Sequence, residues 1–166
     1  LSLREFQTQL AERLKQAGTQ GSAASKLGFI AGGRHWLADL GQINEVLTVN
    51  GLTPVPWSRP WFAGVASVRG AIFGASDLAA FFGMAPPIEG DECRMLLVHP
   101  RFGVNAALRI EQPLGLRSVG AMQTVAPPLP AEAAINGAWL DDEGVEWIGL
   151  DIERLVADPR FLQAGA

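Results

Sequence analysis

The side chains here with the chemistry of a nucleophile, a base or a metal ligand are few: Cys93, His35, His99, the acids Asp141, Asp142 and Glu143, and the separated pair Asp77 and Asp151. Neither histidine stands at ligand spacing from Cys93, and no Cys-x-x-Cys or His-x-x-x-His occurs, so no metal site is expected. Cys93 follows Glu92, and an acidic neighbour raises a thiol pKa, the reverse of what a nucleophile needs. His99 precedes Pro100, which biases it to extended backbone at a strand end rather than to the helix face of a phosphotransfer histidine. Asp141 to Glu143 fall on a turn beside Gly144, with too few alternating oxygens for a calcium loop. Asp77 and Asp151 each precede a short helical run, so capping is preferred over a pair of catalytic acids. Gly28, Gly32 and Gly33 lack dinucleotide-binding spacing, and GVASVRG has Val65 where a nucleophile elbow would need glycine. No catalytic residue and no cofactor site is expected.

Composition narrows the field further. The 166 residues are 48% hydrophobic, which argues against disorder, and only 18% charged, which leaves a comparatively apolar surface of the kind that meets partners. A net charge of −4 opposes binding to a phosphate backbone, so no nucleic-acid partner is expected. A single cysteine forbids an internal disulfide. No uncharged run reaches the length of a membrane span, and the start, LSLREFQTQLAERLKQ, lacks the basic end and apolar core of a signal peptide. The expectation is a cytoplasmic protein without direct membrane insertion. The five tryptophans, at 36, 57, 61, 139 and 147, are read as core packing or partner contacts.

The elements that must position these residues are short. Leu3, Phe6, Leu10 and Leu14 mark a helix over residues 1–18 whose narrow apolar stripe suits packing on the body better than a membrane anchor. Residues 19–25 have linker composition. KLGFIA and RHWLADL flank Gly32-Gly33, a hairpin signal; INEVLTV is a strand candidate; PVPWSRP cannot be a central strand. VASVRGAIFGAS is read as two strands meeting near Gly70, before a short helix LAAFF that Asp77 caps. CRMLLVH and GVNAALRI form a further hairpin, and INGAWL and VEWIGL another, followed by a helix DIERLVA that Asp151 opens and Asp158-Pro159 stops. Residues 64–82 and 137–156 repeat one pattern of glycine, strand, turn, strand and helix-opening aspartate, which points to two related halves. The fold class expected is all-β with short helices, in small closed barrels.

INEVL, VPWSRPWFAGVASVRGAIFGASDL and INGAWL…EWIGLDIERL resemble, in order and spacing across residues 26 to 157, the CheW family of chemosensory coupling proteins. Trp61 before Phe62-Ala-Gly-Val and the form VASVRG resemble most its PilI-type branch, associated with type IV pilus twitching motility. The resemblance implies two intertwined five-stranded, SH3-like β-barrels over residues 26–158, with a tail at 159–166. It implies an adaptor without enzymatic activity, joining the regulatory domain of a CheA-type histidine kinase to the cytoplasmic tip of a methyl-accepting receptor in a membrane-associated array. Carried over by position, the receptor-facing residues are Ile43, Glu45, Gly64, Val65 and Arg69. The kinase contacts are placed on Gly70, Ala71, Ile72, Leu96 and Val98. Phe73-Gly74-Ala75-Ser76, Asn105-Ala106-Ala107 and Glu111-Gln112-Pro113 depart from the family pattern, which touches the kinase side more than the fold. The alternatives are an adaptor-like regulatory domain of a histidine kinase and a small-barrel enzyme.

Arg69 is the odd residue, a full charge inside FAGVASVRGAIFGASDL. If Val65, Ser67 and Arg69 alternate onto one face of a strand and Ala66 and Val68 onto the other, the apolar face enters the core and the guanidinium lies opposite, at the strand's end. Sequence alone leaves it either a buried pair or a surface contact; the resemblance implies a contact in the receptor-facing groove, oriented by an acid such as Glu45.

Overall fold

The computed structural model describes residues 3–8, 25–84, 93–130 and 132–163. Helix α1 covers residues 3–8. Strands β1 (Lys26–Ala31) and β2 (Arg34–Asp39) form an antiparallel hairpin. Gly32 and Gly33 turn it at φ 62° and 73°, the two left-handed residues that a type I′ turn requires. Then follow β3 (Ile43–Val49), the hairpin of β4 (Phe62–Val68) and β5 (Ala71–Asp77), and helix α2 (Leu78–Phe81). A third hairpin joins β6 (Cys93–Val98) to β7 (Ala106–Ile110). Strands β8 (Gln112–Arg117), β9 (Gln123–Val125), β10 (Ile135–Leu140) and β11 (Glu146–Leu150) lead to helices α3 (Ile152–Ala157) and α4 (Pro159–Leu162).

The strands build two sheets, ordered β8-β1-β2-β11-β10-β9 and β3-β6-β7-β5-β4. The two halves of the chain exchange their opening hairpins. β1 and β2 leave the first half to pair with β8 and β11, while β6 and β7 leave the second to pair with β3 and β5. Each sheet contains one parallel pair, β2 with β11 and β5 with β7, made possible because the partners lie far apart in sequence. The two-half echo thus describes structure. β4-β5-α2 and β10-β11-α3 repeat one unit, each with a register shift beside a positive-φ glycine, Gly64 or Gly137. The first sheet has six strands rather than five. β8 carries no strand signal because Pro113 and Gly115 interrupt its apolar pattern, and β9 is only three residues long. Pro113 is accommodated because β8 is an edge strand with a single partner, β1.

Sheet β3-β6-β7-β5-β4 buries both faces of its middle. Leu96 and Leu108 point into the large core shared with Leu27, Phe29 and Trp36 of the first sheet and Ile152 and Leu155 of α3. Met95, Leu97 and Ala107 point the other way, into a smaller core with Ala66, Val68 and Phe73. The near-continuous apolar run of β6 follows from that double burial. Asp77 and Asp151 cap their helices as expected, accepting from the Ala80 and Arg154 amides at 2.9 and 3.3 Å. Asp158 ends α3 and also caps α4 by accepting from the Arg160 amide at 2.9 Å, so part of the expected tail is helical. Among the described residues no helix is long and apolar enough to cross a membrane.

Candidate functional site

β3 and β4 lie at opposite ends of their sheet's strand order, and three contacts join those ends. Thr53, just past β3, exchanges both backbone hydrogen bonds with Val65 of β4 at 2.9 Å. Gly64 (φ 141°) permits this approach, since a Cβ there would stand 2.5 Å from the Thr53 carbonyl oxygen. The third contact is ionic. Arg69 Nη1 donates to Glu45 Oε2 at 2.7 Å, and Nη2 donates to Oε1, a bidentate fork from the β4–β5 turn onto β3. The pair holds the guanidinium pKa above its ordinary value, first through the hydrogen bonds and then through the charge of Glu45.

Arg69 lies in a turn and not on a strand, which corrects the sequence reading. Arg69 (φ 50°) and Gly70 (φ 82°) form the two-residue link between β4 and β5. The alternation itself holds. Ala66 and Val68 pack on the smaller core, while Ser67 is exposed and Val65 half-exposed on the other face. A non-glycine residue in the left-handed region is uncommon, and such a conformation persists where the surroundings hold it. Here the two-residue hairpin link does so, since a type I′ turn takes positive φ at both central residues. The Arg69 side chain remains 69% exposed and that of Glu45 27%, so the pair presents a charged feature at the surface instead of filling the interior.

The ten residues assigned from sequence divide by burial. Glu45, Val65 and Arg69 are gathered at the barrel's closure. Gly70 is exposed, Ala71 half-buried and Ile72 60% exposed, so the β4–β5 hairpin carries an apolar outer surface beside the ion pair. Ile43, Leu96 and Val98 are corrected. All three are buried in the main core, where Ile43 sits opposite Val98 in the β3–β6 register, and none offers its side chain to a partner. Gly64 is buried as well, and its part is to admit Thr53.

Several of the polar residues weighed for chemistry are engaged structurally. His99 Nδ1 accepts from the Arg101 amide at 3.1 Å and caps a short 3₁₀ turn; partial burial and Arg101 together push its pKa down. Asp141 accepts from Trp147 Nε1 at 3.0 Å and from the Val145 and Glu143 amides, hydrogen bonds that hold its carboxyl below the usual range. Asp77 is buried and receives Arg109 Nε at 2.7 Å besides its capping bond. The tryptophans split. Trp36 and Trp147 are buried, Trp61 stacks on Phe161 at 5.9 Å, and Trp57 is 86% exposed at φ 62°. Cys93 lies on β6, paired in register with Val49. Sequence reasoning missed Thr53 and the Gln42 side chain, which donates to Asp151 and accepts from the Ile152 amide 110 residues away. Neither leaves a local signal: Thr53 pairs through its backbone, and the Gln42 contacts join the two halves of the chain.

Comparison with known proteins agrees with this geometry. The model of the CheW-like domain matches residues 26–160. Over 110 residues the chain is 34% identical to Protein PilI of Pseudomonas aeruginosa, a match covering 64% of this chain and 61% of that protein. The fold superposes on the crystal structure of scaffolding protein TtCheW from Thermoanaerobacter tengcongensis with a TM-score of 0.63 at 19% identity, covering 76% of this chain and 88% of that one. With that domain spanning most of its length, the chain belongs to the CheW family.

Proposed function

We propose that this protein is a non-enzymatic adaptor that couples the cytoplasmic tip of a methyl-accepting receptor to a CheA-type histidine kinase, in a chemosensory array controlling type IV pilus twitching motility. The observation that carries this reading is the Glu45–Arg69 fork, held at the surface at two positions where the resemblance leads one to expect a receptor contact. A guanidinium oriented by one carboxylate keeps donors free for a second acceptor and gives direction to a docking partner. Val65 beside it supplies a small apolar neighbour of the kind found at interface cores.

The kinase contact fits the hairpin face bearing Gly70, Ala71 and Ile72, where exposed apolar surface lies next to the turn. An adaptor of this kind needs no perturbed acid or nucleophile, and its individual contacts can be modest where several act together in a lattice. The array, and with it a cytoplasmic location at the membrane, is part of the same proposal. Titration of the folded protein with a purified receptor cytoplasmic fragment and with a purified kinase regulatory domain tests it. Binding to both supports the reading, and binding to neither overturns it.

A further inference from the structure

Three of the large apolar side chains exposed among the described residues, Val55, Trp57 and Ile72, belong to the outer face of β4–β5 and the loop that borders it. The register sets Ser67 opposite Ile72 and Val65 opposite Gly74, so these four share that face. Phe62 lies across Gly74, where an added Cβ would stand 3.1 Å from its ring, and extends the face toward the start of β4. The loop over residues 54–61 leaves this face at Thr53, which pairs with Val65, and returns to it at Phe62. It is braced along its length. Prolines at 54, 56 and 60 fix φ, Ser58 Oγ donates to the Val55 carbonyl at 2.8 Å, and the Phe62 amide donates to the Arg59 carbonyl at 3.0 Å. Trp61 anchors the end of the loop on Phe81 and Phe161. On this support Trp57 stands 86% exposed at φ 62°, a left-handed conformation that is an outlier for an aromatic residue. Folding gains nothing from the arrangement, since the ring stays in water and the backbone is strained. Backbone strain of this kind clusters at sites that hold a ligand or partner, and Trp is enriched among interface hot spots.

We propose that Trp57 is the anchor of the kinase contact, a preorganised indole that enters an apolar, acid-rimmed pocket on the kinase regulatory domain while Val55, Phe62 and Ile72 spread the contact along the β4–β5 face. This rests on the adaptor reading above, which seats that partner on the same hairpin. Loop and hairpin form one continuous surface, so a partner lying on Ile72 and Phe62 meets the loop at its border. The acidic rim follows from Arg59, exposed two residues from Trp57 and without an ion pair among the described residues. Bracing serves affinity, because a ring already fixed in its bound position loses little freedom on association.

The test is calorimetric titration of the full chain and of its Trp57→Gly variant with the purified regulatory domain of a CheA-type kinase encoded in the same genome, and separately with a receptor cytoplasmic fragment. Glycine adopts a left-handed φ freely, so the variant loses the ring without distorting the loop, and its melting midpoint is expected not to fall. Binding of the kinase domain is expected to weaken about tenfold or more, with binding of the receptor fragment unchanged. Equal kinase binding by Trp57→Gly overturns the proposal while leaving the adaptor reading intact. A loss confined to the receptor fragment, or self-association of the parent that Trp57→Gly abolishes, assigns the ring to another partner and overturns it as well. Absence of kinase binding by the parent overturns the kinase half of the adaptor reading, and the proposal with it.

Discussion

Arg69 is held by one carboxylate, in a backbone conformation that arginine seldom adopts, with most of its side chain in solvent. Exposed ion pairs stabilise folds little, so the pair's value lies in orientation. Arg69→Ala is expected to weaken receptor-fragment binding about tenfold or more while the melting midpoint moves by no more than about 2 °C, as read by calorimetry and circular dichroism. A collapse of the fold would instead make Arg69 structural. Exchanging the charges, Glu45→Arg with Arg69→Glu, restores the fork but not the sign presented outward, so binding stays weak if the guanidinium itself meets the partner. Asp77 is the opposite case, a buried acid that caps α2 and receives Arg109. Asp77→Ala leaves a cation without its partner as well as an uncapped helix, and is expected to cost about 3 kcal/mol in chemical denaturation. Acid dependence follows from Asp141 and Asp158, whose carboxyl pKa values lie below the ordinary 3.8 because Trp147 and Arg160, respectively, donate to them. A depressed folded-state pKa contributes stability that is fully present above the unfolded value and lost as pH falls through the folded one. Thermal melts are therefore expected to be nearly flat from pH 7 down to about pH 5 with respect to these two groups, with their share of stability fading below about pH 4.

At the scale of elements, close backbone approach shapes both repeated hairpins. In β4, Gly64 lets Thr53 pair with Val65; in β11, an added Cβ on Gly149 would collide with the carbonyl of Asn136 on β10. Gly64→Ala adds the strain of a left-handed φ to the clash and is expected to cost about 2 kcal/mol or more. Its binding loss would accompany loss of stability, unlike that of Arg69→Ala. Gly149→Ala lies away from the fork and should destabilise by about 1–3 kcal/mol without a specific binding defect once the sample is folded. These paired measurements separate the elements that form the barrel closure from the residues that use it. The hairpins β1–β2, β4–β5 and β10–β11 were legible because turn glycines and alternating side chains are local signals. β8 was not, since Pro113 and Gly115 remove both the donor and the alternation, and only its edge position makes it a strand.

For the whole molecule, the exchange of hairpins means that neither half can complete a sheet alone. A fragment ending before Cys93 would retain β1 and β2 without β8 and β11, and β3 without β6. Such a fragment is expected to show no cooperative melting by circular dichroism and the full chain to melt in one transition; a cooperative fragment would contradict the shared core. The amino-acid sequence by itself determined the positions of β1–β7, β10 and β11, the helix caps at Asp77 and Asp151, the kinship of the halves and the family, because each rests on nearest neighbours along the chain or on a short motif. It also marked Arg69 as a charge in need of an acid, with Glu45 as one candidate; the pairing itself belongs to the tertiary structure. Only the tertiary structure decided that Ile43, Leu96 and Val98 belong to the core, that Gly64 serves Thr53, and that Gln7 of α1 donates to the Val46 carbonyl of β3. Burial and pairing across a barrel depend on which distant strands become neighbours. That choice is made by the exchange of hairpins between halves, and no local stretch of sequence encodes it.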